Sequence, residues 1–225
     1  GDGNFTSHNI SSNINGSISI FPIDLNGDNN MDILFTSMYD NSINWYKNNG
    51  DGNFSRHSIY NNANGPWDIH ASDVDEDGDI DVVSINDYDN TIVWYSNNGN
   101  QIFKPYIIAS DTNSIWTLHT RDVDKDGDVD VITGTEGNNI ITWYENNGSE
   151  TFTAHTIKGT VATKYFQSPL DSDQDGDAQV STSSENGQSR SIHLTPSQVV
   201  QRNFDLVKLN LKSCPGTSCL LTKAE

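Results

Sequence analysis

Basic residues are scarce in this chain. It has 12 lysines and arginines among 225 residues, against 31 aspartates and glutamates, for a net charge of −19 and a pI near 4.3. That balance argues against nucleic acid as a partner, because phosphate binding needs a basic footprint. Apolar residues are also few, at 33% with a mean hydropathy of −0.61. No apolar run approaches the roughly 18 residues of a membrane-spanning helix. No secretory leader is present, as expected of a mature form, a fragment or a chain lacking its start. Cysteine occurs twice, at Cys214 and Cys219. The pair sits either side of Pro215-Gly216 and either closes a small disulfide loop in an oxidising compartment or stays free; zinc would need two further ligands nearby. Low hydrophobicity with high net charge ordinarily marks disorder, so something must organise the negative charge.

A repeat does so. Asp24, Asp73, Asp122 and Asp171 each open an acidic segment, always 49 residues apart. Phe5, Phe54, Phe103 and Phe152 keep the same spacing, as do the Trp-Tyr pairs at 45–46, 94–95 and 143–144 and the Asn-Asn-Gly turns that follow them. Four units result, 1–49, 50–98, 99–147 and 148–196, with a tail at 197–225. Each unit reads as short strands rich in Val, Ile, Thr and aromatics, separated by Asn, Asp and Gly. In the second these are Trp67–Ser72, Asp81–Asn86 and Thr91–Ser96, with Phe54–Ile59 ahead of them. A unit of four strands and no helical periodicity fits a propeller blade better than a solenoid turn. The expected fold class is all-β, a propeller of four-stranded blades: a partial propeller or, second, a closed four-bladed ring.

The acidic segments have the pattern of a calcium loop. Asp73, Asp75, Asp77 and Asp81 occupy loop positions 1, 3, 5 and 9 with Gly78 at position 6; Asp122, Asp124, Asp126 and Asp130 repeat this with Gly127. Calcium takes six to eight oxygens at about 2.3–2.6 Å, alternating acids on a tight loop converge, and glycine permits the bend. The first loop uses Asp24, Asn26, Asp28 and Asp32, with Asn29 at the bend. The fourth has Asp171, Asp173 and Asp175, but Gln179 replaces the closing acid, so a weakened or empty site is expected there. An EF-hand is rejected, because its position-12 Glu and flanking helices are missing. A solvated acidic turn and a magnesium site are the alternatives.

The Asp-x-Asp-x-Asp-Gly-x-x-Asp loop, the strand after it, and Trp-Tyr-x-Asn-Asn-Gly followed by Phe resemble FG-GAP/VCBS-type repeats, the propeller repeats of the calcium-bearing integrin α head. The resemblance covers residues 1 to about 194. It implies that the loop joins the innermost strand of each blade to the second, and that ligands engage the opposite face. The inner strands would lie near Ser17–Ile23, Trp67–Ser72, Ile115–Arg121 and Thr163–Leu170. A strand at Phe5–Ile10 would have the phase of an outermost strand, from a blade upstream or closing the fourth. A strand at Phe204–Leu211 could complete blade four.

Trp45, Trp94 and Trp143 lie mid-strand and read as core. Trp67 and Trp116 open inner strands beneath polar loops, and are either core or part of a ligand face. Tyr39 and Tyr88 stand in register in Asp/Asn loops and read equally as a ligand platform or a polar turn. The histidines recur with the repeat, as blade architecture does, and no nucleophile triad, phosphate loop or zinc spacing is present. Five Asn-x-Ser/Thr sequons (Asn4, Asn9, Asn15, Asn53, Asn147) are no more than composition alone predicts. The expectation is an extracellular, non-catalytic recognition or adhesion module holding three to four Ca2+ ions. Its ligand would be a protein or glycan, with possible self-association or further blades. A lectin-like propeller and an accessory domain of a carbohydrate-active enzyme are the alternatives.

Overall fold

The computed structural model describes residues 5–11, 13–110, 112, 114–135, 140–158, 165–170, 178–183 and 189–194. The first sheet comprises β1 (Ile20–Ile23), β2 (Asp32–Ser37), β3 (Ser42–Asn48) and β4 (Phe54–Tyr60). The second has β5 (Pro66–Ser72), β6 (Asp81–Asn86), β7 (Thr91–Asn97) and β8 (Phe103–Ala109). The third has β9 (Ile115–Arg121), β10 (Asp130–Thr135), β11 (Ile140–Asn146) and β12 (Phe152–Lys158). β13 (Tyr165–Leu170), β14 (Ala178–Ser183) and β15 (Ser189–Leu194) form a fourth sheet. Within each, strands pair antiparallel in chain order.

Burial explains why these strands carry apolar residues on both faces. β6 is buried at every position and β7 at all but one, whereas the outer strands β4 and β8 are mostly half-buried or exposed. A sheet buried on both faces must lie between two others. Val82, Val93 and Tyr95 pack with Leu34, Ile43 and Trp45 of the first sheet. Val83, Ile85, Ile92 and Trp94 pack with Leu118, Val131 and Tyr144 of the third. Alternation along β6 and β7 thus sends neighbouring side chains to opposite blades. Trp45, Trp94 and Trp143 are buried, and His57, Tyr106 and His155 of the outermost strands lie against them in that order, with ring centroids 4.6–5.1 Å apart.

The first strands of successive sheets lie side by side. Asp68 on β5 accepts from Ser19 Oγ at 2.7 Å and from the Leu118 N–H at 2.9 Å, joining three blades; burial pushes its carboxyl up despite those donors. Phe21, His70 and His119 touch along the same row, the first pair tilted and the second edge to face. The architecture is a partial propeller of four-stranded blades.

Some expectations differ from what is seen. Residues 5–10 form no strand, and Phe5 is 99% exposed; no described strand pairs with them, and an extended segment without a ladder partner does not become a strand. The first inner strand begins at Ile20 rather than Ser17. Phe204–Leu211, Cys214 and Cys219 lie outside the described residues, as do Asp171, Asp173 and Asp175.

Candidate metal centre

Each acidic loop joins the first strand of a blade to the second. Its curl comes from two left-handed residues. Position 4 has positive φ in all three described loops (Gly27 71°, Glu76 58°, Lys125 65°), and so has position 6 (Asn29 65°, Gly78 93°, Gly127 107°). The bend at position 6 follows from its glycine or asparagine. Position 4 was not foreseen from the sequence; Gly27 was its one signal, because Glu76 and Lys125 hide the requirement.

The acid at position 9 is a structural anchor. Asp81 is wholly buried at the start of β6. Its Oδ1 accepts the Asn97 N–H at 2.7 Å, and its Oδ2 accepts the Val74 N–H at 3.1 Å and Trp94 Nε1 at 3.0 Å. Asp130 accepts the N–H groups of Val123 and Asn146, and Asp32 those of Leu25 and Asn48. Burial outweighs these donors, pushing Asp81 and Asp130 up to about 7 and Asp32 upward. Strand register places Gln179 opposite Leu170, as Asp81 is opposite Ser72. Glutamine has one acceptor oxygen where the aspartates engage two.

The first asparagine of each Asn-Asn-Gly completes the clasp. Asn48, Asn97 and Asn146 donate Nδ2 to the carbonyls of Met31, Ile80 and Val129 at loop position 8. Asn146 also reaches the Val74 carbonyl of the preceding blade at 3.0 Å. The sequence shows this asparagine recurring, but only as part of a turn.

Two triads converge among the described residues. Asp73, Asp75 and Asp81 each bring a carboxylate oxygen within 4.8 Å of the other two, and so do Asp122, Asp124 and Asp130. Oxygens on one calcium lie at most about 4.6–5.2 Å apart, twice the bond length. Asp73 Oδ1, Asp75 Oδ1 and Asp124 Oδ1 are buried without a hydrogen-bond donor. A buried anionic oxygen left that way is costly. Burial, then the neighbouring charges of Asp77 and Asp126, raise Asp75 and Asp124. The donor set is all oxygen and mostly anionic, which fits a hard divalent cation. Asp77 and Asp126 lie outside the triads; each accepts through Oδ1 the N–H two residues on. Asp24, Asn26, Asp28 and Asp32 form a loop of the same shape, but no carboxylate oxygen is left without a donor there.

The loops at the other end of the strands carry Tyr39 and Tyr88, 65% and 53% exposed. Each ring lies over a glycine: a Cβ on Gly16 or Gly65 would meet Tyr39 or Tyr88 at 2.6 Å. Asn41, ending the first of these loops, accepts through its carbonyl the Ala63 N–H and through Oδ1 the Gly65 N–H. Trp67 and Trp116 are partly buried against each other, edge to face with centroids at 5.0 Å, and Trp67 also packs on the core between the second and third blades.

A family model of FG-GAP-like repeats matches residues 24–84 and 73–133. No curated protein matches the sequence. Among solved structures, an Agrocybe aegerita lectin, described as specifically recognising non-reducing terminal N-acetylglucosamine, is 20% identical. That match covers 79% of this chain and 52% of the lectin at a TM-score of 0.54. The BBS1N–ARL6DN complex gives 12% identity over 84% of this chain and 57% of the matched one, also at 0.54. A streptogramin B lyase gives 14% identity over 81% and 56%, at 0.50. At these identities the likeness shows the fold alone, and this chain spans little more than half the length of each.

Proposed function

Because the chain carries FG-GAP-like repeats on a partial β-propeller, we propose that it is an extracellular, calcium-stabilised recognition or adhesion module without catalysis of its own. The observation carrying this reading is the set of buried, donor-less oxygens on Asp73, Asp75 and Asp124, at two points where three aspartates converge. Asp73, Asp75 and Asp81 would hold one ion and Asp122, Asp124 and Asp130 another. Magnesium is disfavoured, because it keeps several waters and takes few protein ligands. Loops of this kind in extracellular modules bind calcium with Kd about 10⁻⁴–10⁻³ M. An ion here would tie the inner strand to the second strand, so its role is structural. Titration calorimetry tests this: calcium binding at millimolar concentration, with a melting temperature lowered by EDTA, supports it. No heat and no EDTA effect would sink it.

The ligand is a protein or a glycan on the face away from the acidic loops. The glycan reading is favoured by Tyr39 and Tyr88, each an exposed ring seated on a glycine, and by the fold shared with a lectin. A glycan array probed with the calcium-loaded chain tests it; an empty array leaves protein adhesion ahead. An accessory role beside a carbohydrate-processing domain fits the same face. Exposed Ile18, Ile20 and Met31 on the first blade are consistent with further blades or a second copy packing there.

A further inference from the structure

The first acidic loop differs from the other two in how its charge is met. Asp24 accepts the N–H of Asp28 on Oδ1 and that of Asn29 on Oδ2, at 3.1 and 2.8 Å. Asp28 Oδ1 accepts the Asn30 N–H at 2.9 Å, and its Oδ2 accepts Asn26 Nδ2 at 3.0 Å. Asp32 engages both oxygens with backbone N–H groups. Asn30 Nδ2 also donates to Asp28 Oδ1 at 2.9 Å, and Lys47 of β3 brings its Nζ to 3.0 Å from Asp28 Oδ2. Six carboxylate oxygens thus have donors, and one donor is a cation.

The repeat makes Lys47 informative. The residues 49 and 98 positions further on, in β7 and β11, are Ser96 and Glu145. Ser96 Oγ donates to Asp75 Oδ2 at 3.3 Å, a neutral contact that leaves Asp75 Oδ1 without a donor. Glu145 receives His155 at 2.6 Å and acts on Asp124 as a like charge. One strand position therefore presents an ammonium, a hydroxyl and a carboxylate to three successive loops. Loop composition runs the same way. The first loop has three acids and an asparagine at position 3, the second six acids, and the third five with Lys125.

We infer that the side chain at this position on the third strand of each blade selects the loop's counter-ion. Lys47 serves the first loop as a built-in cation, so that loop holds its shape without metal. Ser96 leaves the second loop open to a divalent ion, and Glu145 adds a carboxylate beside the third. The inference rests on the metal reading of the second and third loops. Its physical basis is simple: a divalent ion in the first loop would sit beside an ammonium already in contact with Asp28, and like charges that close repel.

The test is the number of calcium ions bound per chain, measured by calorimetry on the full chain. Each variant is read as a difference from the parent, with folding verified by circular dichroism. Asp24→Asn, at the position of Asp73 and Asp122, should leave the number unchanged, whereas Asp75→Asn and Asp124→Asn should each lower it by one. Ser96→Lys should lower it by one by importing the lysine into the second blade. The double variant Asn26→Asp with Lys47→Ser should raise it by one. The inference is overturned if Asp24→Asn removes an ion, or if Ser96→Lys leaves the number intact while Asp75→Asn lowers it. A parent chain that binds no calcium, or Asp75→Asn and Asp124→Asn variants that keep the full number, would instead overturn the metal reading itself and the inference with it.

Discussion

Asn97 is held to Asp81 and to Ile80, the residue before Asp81. The Asn97 N–H donates to Asp81 Oδ1 at 2.7 Å, and Asn97 Nδ2 donates to the carbonyl of Ile80 at 3.0 Å. The end of β7 is thereby clamped to the exit of the acidic loop. The pairs Asp32–Asn48 and Asp130–Asn146 repeat the clasp, so it belongs to the blade rather than to any ion.

Replacing Asp81 by Asn should therefore destabilise the fold with or without metal. The amide substitutes an NH2 for one acceptor oxygen and sets it against buried donors, at a cost of about 2–4 kcal/mol. Urea denaturation in EDTA measures it. A loss seen only in calcium would contradict a structural role for Asp81.

Asp75→Asn should behave in the opposite way according to the solution. Without calcium the substitution removes a like charge beside Asp77 and a buried oxygen lacking a donor, and should stabilise by on the order of 1 kcal/mol. With calcium it removes a ligand and should destabilise. Paired melts in EDTA and in millimolar calcium would show the change of sign; the same sign in both refutes it.

Acid should weaken the inner strands through His70 and His119. Burial holds both at about 4, the charge of His119 adding to the effect on His70. Unfolded histidine titrates near 6.5. Between about pH 6.5 and 4 these histidines bind more protons in the unfolded chain, so their contribution to stability is full above this window and is lost as pH drops through it. The loss is a few kcal/mol at most per histidine. Asp81 and Asp130, pushed up to about 7, act in the opposite sense in both chains. Phe21 occupies the equivalent position in blade 1, so a His70→Phe, His119→Phe chain should lose less stability, or gain more, than the parent as pH falls through that window. Measurement in EDTA keeps metal release out of the comparison, and an unchanged slope would discount the histidines.

Gly65→Ala should destabilise by about 1–3 kcal/mol, from positive φ and a clash with the Tyr88 ring. Tyr88→Ala relieves the clash, so the double variant should lose less than the two single losses together. Tyr88→Ala alone should leave the melting temperature within a few degrees. If the glycan reading holds, it should also abolish signal on the array. Strict additivity would mean that ring and glycine do not touch.

Much of this was legible in the 49-residue period. The period located the strands to within a few residues and identified Trp45, Trp94 and Trp143 as core, and the resemblance to FG-GAP/VCBS-type repeats implied that the acidic loops join first and second strands. Its limits were physical. Phe5–Ile10 has the phase of a strand, yet a strand exists only with a partner, and none of the described strands provides one. Asp68 and the recurring asparagines were passed over because their partners lie on other blades or across the hairpin, distances that a repeat pattern does not measure.

The sequence by itself determined what recurs: the blade, its buried aromatics, and an acidic loop that returns with every unit. The tertiary structure decided how those equivalent loops differ. The third strand of each blade folds a different side chain back beside its loop: Lys47 against Asp28, Ser96 against Asp75, and Glu145 as a like charge near Asp124. A periodic pattern specifies the backbone that brings such residues together. The charge that meets a given oxygen is a property of the contact, and the contact exists only once the hairpin has closed.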